Sequence, residues 1–180
     1  MNYAELVSAW RGSEARVSQH QSTAAGLATR IRQVLAEELG LADRDILRLL
    51  RFTHASQRDA GVRADLVPQR VLELAEGGAV RIGLIVVLEE SERARENQGI
   101  VLVLSFCRPE PGGHWTVAID DGEPVTLTTV AEGLPLEGGL HEELRGVSAE
   151  ITATIKERLD ASLSWWLAGS RATPEPQGFL

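Results

Sequence analysis

Four histidines and one cysteine are where catalytic or metal chemistry would have to begin in this chain. His141-Glu142-Glu143 opens like a zinc-binding helix motif, but that motif needs a second histidine four residues after the first, and Arg145 stands there. The two glutamates suit the first turn of a helix, where the dipole favours negative charge. Cys107 closes one apolar run and His114 opens the next across a tight turn. In an antiparallel pair they could approach as a thiolate and an imidazole, and His54 could join them in a pocket. No orienting group or oxyanion motif surrounds Cys107, so a thiol packed as a small hydrophobe is the favoured reading. Asp120, Asp121 and Glu123 lack the alternating twelve-residue spacing of a calcium loop, and Asp121-Gly122 explains them as turn residues. The paired glycines match neither a phosphate-cradling loop nor a nucleophile elbow. No metal and no cofactor is therefore expected.

Binding chemistry has better candidates. The formal net charge of −8 opposes a nucleic-acid or anionic-membrane surface as main partner. Arg44, Arg48 and Arg51 recur at helical spacing, but Asp43 and Asp45 dilute their field. His20 and Trp10 lie on the apolar stripe of an N-terminal helix, where each is either core or interface. Trp165, Trp166 and Leu167 give the end of a C-terminal helix an unusually wide apolar arc, and exposed tryptophans are favoured interface anchors.

The elements that must position these residues begin with a helix. Leu6, Trp10, Val17, Ala24, Leu27, Ala28, Ile31, Leu35 and Leu39 fall near one face at 100° per residue. Gly12-Ser13 is a possible break with Ser13 as a second N-cap, and Gly40 sits where a helix ends. Unbroken, the helix would be about 50 Å long and would overhang a domain of this size, so a partner or a second copy would have to cover part of it. Asp43–Thr53 reads as a second short helix, with a strand starting near Leu47 as the rival. Leu66–Glu76 reads as a helix, with one arm of a hairpin turning at Glu76-Gly77-Gly78 as its rival.

Four strand-like runs follow, within 79–90, 100–107, 114–120 and 125–130. Their β-branched residues and their Gly, Pro, Asp and Asn boundaries predict an antiparallel meander. The first two runs are apolar on both faces, so both faces should be covered. Residues 148–167 form an amphipathic helix through Ile151, Ile155, Leu159, Leu163 and Trp166.

The fold class expected is α+β: an antiparallel four-strand meander layered with N-terminal helices and a long C-terminal helix. Residues 1–40 are an amphipathic helical segment, 41–168 the α+β domain and 169–180 a flexible tail. That outline is similar to those of secretion chaperones and bacterial immunity proteins. One cysteine and no signal-like or membrane-spanning run point to the bacterial cytoplasm. The function expected is a non-enzymatic, self-associating protein-binding module (adaptor, chaperone-like or immunity-type), with a protein partner or a second copy and no membrane. The interface candidates are Trp10, His20, Trp165, Trp166 and Leu167. The alternative is an enzyme or small-ligand binder with a pocket between sheet and helices, holding Cys107, His114 and His54.

Overall fold

The computed structural model describes residues 2–41, 46–51, 71–89, 98–110, 112–130 and 139–170, without the side chains of 88, 89, 98 and 162–170. It is an α+β fold, with helices α1 (Tyr3–Glu38) and α2 (Leu140–Ser170) on one face of an antiparallel sheet. The strands are β1 (Leu47–Leu50), β2 (Glu73–Leu74), β3 (Val80–Glu89), β4 (Gln98–Cys107), β5 (Trp115–Ile119) and β6 (Val125–Leu127). The sheet runs β1-β3-β4-β5-β6, and β2 also pairs with β3. The meander predicted from the four apolar runs is β3 to β6.

α1 is one helix, not two. Its N-cap is Asn2, whose side chain accepts from the Glu5 N–H at 2.9 Å while the Asn2 N–H donates to Glu5 Oε2 at 2.8 Å. This reciprocal capping box satisfies donors that a bare helix start leaves without partners. Gly12 and Ser13 pass through in helical conformation. A single glycine costs a helix only about 1 kcal/mol relative to alanine, too little to force a break. At the other end Gly40 takes φ 64°, its N–H reaching the Glu37 carbonyl at 3.1 Å and the Leu41 N–H reaching that of Ala36 at 2.9 Å. That double bond closes the helix, and a left-handed residue there favours glycine.

Two expectations are corrected. Residues 47–50 are strand, with Leu47–Leu50 running antiparallel to Val86–Gly83. Four leucine-rich residues satisfy either period, and the open flank of β3 offers backbone partners that a lone short helix lacks. Glu73 and Leu74 pair with Arg81 and Val80, so the chain enters the Glu76-Gly77-Gly78 turn as a hairpin arm; of the helix expected over Leu66–Glu76, Val71 is helical and 66–70 lie outside the described residues. Gly77 and Gly78 both take positive φ, 73° and 78°, which suits them to a turn and not to a helix end alone.

One core joins the helices to the sheet. Leu27, Ile31 and Leu35 of α1 and Leu144, Val147 and Ile151 of α2 meet Ile82, Leu84, Leu102, Leu104, Phe106, Trp115 and Val117 of the sheet. Residues 24–36 of the N-terminal segment thus share the sheet's core. On the opposite sheet face Leu50, Ile85, Val87 and Val101 form a second buried cluster. The second face is therefore buried along residues 83–87 of β3 and at Val101 of β4, and half-buried at Val103, Ser105 and Cys107, in keeping with the doubly apolar pattern of the two runs.

Polar contacts also fasten α2. Arg158 donates to Asp120 Oδ2 and to the Val101 carbonyl. Fully buried Ser148 donates to Glu38 of α1. Glu143 accepts from the backbone and hydroxyl groups of Thr128 and Thr129, at 2.9 Å from the Thr128 N–H and at 3.1 and 2.7 Å from Thr129.

Candidate interaction surface

α1 holds two surfaces of opposite fate. From Ala24 onward its apolar residues are buried against the sheet and α2. Before that point the helix leaves the body, and Tyr3 (81 % exposed), Leu6 (51 %), Trp10 (63 %) and Val17 (44 %) stand in water. Residues 3–22 form an arm about 30 Å long at 1.5 Å per residue. Its large apolar side chains recur three, four and seven residues apart, so they line one face.

The root of the arm is pinned at His20. The imidazole stacks on the Trp115 indole with ring centroids 4.5 Å apart and planes inclined by 26°. His20 Nε2 lies 3.0 Å from the Gly78 carbonyl oxygen. A carbonyl only accepts, so Nε2 carries the proton. The Gly77-Gly78 turn and the first residue of β5 thus meet α1 where it emerges. Trp115 is fully buried, and its indole N–H has no hydrogen-bond partner among the described residues.

Trp10 and His20, picked out by sequence, therefore sit at the middle and the root of one exposed surface. Tyr3, three residues before Leu6 on the same face, and Trp115 were missed. The spacing of Tyr3 from Leu6 would have found the first. Trp115 meets His20 only through the tertiary fold, and no local signal reports it. The backbone of Trp165, Trp166 and Leu167 belongs to α2, but their side chains lie outside the described residues, as does the whole of His54.

Cys107 is half-buried and His114 exposed. Cys107 pairs across the sheet with Thr116, whose hydroxyl donates to the Cys107 carbonyl at 3.3 Å. Because Phe106 faces the helices, strand alternation turns Cys107 to the opposite face of the sheet. No hydrogen bond joins Cys107 to His114 among the described residues. A depression of about 360 Å³ beside the β2–β3 hairpin is lined by Glu73, Leu74, Ala75, Glu76 and Arg81 and includes neither of them. The helical row expected of Arg44, Arg48 and Arg51 does not form: Arg48 lies on β1 opposite Ile85, Arg51 follows the strand, and Arg44 lies outside the described residues. No group of three potential metal ligands gathers among the described residues. None of their helices is long and apolar enough to cross a membrane.

Comparison with protein-family models, curated proteins and solved structures finds no match for this chain. The functional reading rests on the arm itself.

Proposed function

We propose that this protein is a non-enzymatic protein-binding module whose docking element is the projecting half of α1. The observation that carries the reading is the exposure of Tyr3, Leu6, Trp10 and Val17 along one face of a capped helix. Scattered apolar residues on a surface are ordinary; a contiguous row of four, two of them aromatic, marks an interaction site.

The arm's stability supports the same reading. A helix standing in water gains nothing from tertiary packing, and its interior here holds Gly12, Ser8, Ser13, Ser18 and two valines, all weak helix formers. The capping box nevertheless specifies a helix from its first turn. A partner laid along the apolar face supplies the packing that the body does not.

The test is a photo-crosslinking residue placed at Ala9, beside the exposed face, in cells expressing the full chain. Capture of a discrete protein, whether a second copy or another chain, supports a binding module. Illumination that leaves only the single chain overturns it and moves attention to the depression beside the β2–β3 hairpin.

A further inference from the structure

We infer that a second copy of this chain covers the arm, its own arm running antiparallel, as a short two-stranded coiled coil from Tyr3 to His20. The inference rests on the binding-module reading and names its partner.

Spacing is the first argument. Positions 3, 6, 10, 13, 17, 20, 24, 27, 31 and 34 alternate steps of three and four without a fault, and hold Tyr, Leu, Trp, Ser, Val, His, Ala, Leu, Ile and Val. The last four are buried in the body. The exposed row therefore continues a seam that is already an interface. A strict seven-residue repeat drifts about 20° per heptad on a straight helix, the drift that left-handed winding around another helix takes up. The arm holds two and a half heptads, short for a free zipper. It extends a helix already nucleated and anchored in the core, so the initiation that limits short helices has been completed.

Shape selects the direction. In a parallel pair Trp10 would face the second copy's Trp10 and Ser13 its Ser13, crowding one layer and emptying the next. Antiparallel alignment in which paired positions sum to 23 sets Trp10 against the second copy's Ser13, Leu6 against its Val17 and Tyr3 against its His20. Large then faces small throughout the middle layers, as dense packing requires. Each tip also reaches the root of the other arm, where His20 leads onto Trp115 and the Gly77-Gly78 turn.

Charge and area agree. Within residues 2–22 Glu5 and Glu14 balance Arg11 and Arg16, so two arms meet without the repulsion that the chain's −8 would impose on most other faces. Aromatic side chains bury about 150–250 Å² each, so Tyr3 and Trp10 leave on the order of 300 Å² per arm in water. Leu6, Val17 and the flanking Val7 and Ala9 carry the seam toward the roughly 800 Å² per partner of a stable interface.

The experiment combines light scattering with cysteine mapping on the full chain in a Cys107→Ser background. Scattering is expected to give twice the 19.5 kDa of one chain. Leu6→Ser with Trp10→Ser should return the single mass with the body's circular dichroism and melting retained, since both residues are exposed. Leu6→Cys with Val17→Cys should crosslink two chains under mild oxidation, while Leu6→Cys alone and Val17→Cys alone should not. The two positions are eleven residues apart on one helix, too far to close within a chain. Crosslinking by Leu6→Cys alone would show parallel arms and overturn the pairing. A single mass at every soluble concentration would overturn the second copy. If Ala9 then captures a different protein, the binding-module reading survives that failure; if it captures nothing, both fall.

Discussion

His20 stacks on Trp115 with ring centroids 4.5 Å apart, and that contact divides α1 into a half that belongs to the core and a half that leaves it. Its Nε2 donates to the Gly78 carbonyl of the hairpin. Removing the ring should therefore loosen the root of the arm without cutting into the core beneath. We expect His20→Ala to cost about 1–2 kcal/mol, the sum of a stacked pair and one hydrogen bond. Urea denaturation would measure it. Hydrogen exchange should show the loss concentrated at residues 17–24, and uniform loss across the sheet would contradict this placement.

Asp120 makes two contacts within the sheet and one to α2. It sits in the left-handed region at φ 53°, where aspartate and asparagine are better tolerated than most residues. Its N–H donates to the Val103 carbonyl at 2.7 Å, and its Oδ1 accepts from the Val103 N–H at 2.9 Å. The side chain thus extends the β4–β5 ladder one rung beyond Ile119. The other oxygen meets Arg158 in a pair that is three-quarters buried. Asp120→Asn keeps the backbone conformation and a Val103 acceptor but loses the charge, and should cost about 1 kcal/mol; Asp120→Ala keeps the main-chain donor but loses both side-chain contacts and the tolerance of positive φ, and should cost about 2–4 kcal/mol. Equal losses in paired denaturation curves would mean that the charge carries the whole effect and the turn none.

The meander was legible because each run is long, β-branched and bounded by residues that stop strands; its last turn falls where Asp121-Gly122 suggested, but Asp120, not Gly122, takes the positive φ there. The Gly40 stop was legible for a similar reason, since a left-handed closing residue has few alternatives to glycine. β1 and β2 were not. Leu47–Leu50 and Glu73-Leu74 are too short for periodicity to separate strand from helix, and pairing with β3 decides them. The apolar stripe through Leu6, Trp10 and Val17 was readable as a stripe. Whether the body covers it depends on where the sheet ends beneath the helix, which no local pattern records. The same limit hid the junction of His20 with Trp115, residues 95 positions apart in the chain.

Glu143 makes the attachment of α2 to β6 sensitive to acid. Burial pushes its carboxyl upward, but the hydroxyl and backbone donors of Thr128 and Thr129 outweigh that and hold it below the ordinary glutamate range. A folded value below the unfolded one contributes stability that is complete above the unfolded value and is lost as pH falls through the folded one. The wild type should therefore exceed Glu143→Gln in stability by about 1 kcal/mol or less at neutral pH, since the site is partly solvated. The gap should hold down to the ordinary glutamate range and then close in more acid solution. Melting temperatures of both proteins across that range test the sign, and a gap that widens in acid would contradict it.

Two glycine-to-alanine changes should act in opposite directions. At Gly99 a Cβ would lie 2.7 Å from the Val86 carbonyl oxygen and 3.1 Å from Ile85 Cγ1. The nearest atom is backbone in the strand next to it, beside the β3–β4 register shift at Val87 and Glu89, so relief requires the strands to part. Gly99→Ala should cost about 1–3 kcal/mol, as overpacking does elsewhere. At Gly12 nothing lies within 4 Å of an added Cβ, and the residue is helical. Gly12→Ala removes unfolded-chain freedom without a clash, and should strengthen the arm by about 0.5–1 kcal/mol. Position 12 lies off the 3-6-10-13-17-20 seam, so this change should raise helicity and leave assembly intact or tighter. Circular dichroism and light scattering on the same sample decide the matter. Weaker assembly on Gly12→Ala would place the contact on a different face of α1 from the one lined by Tyr3, Leu6, Trp10 and Val17.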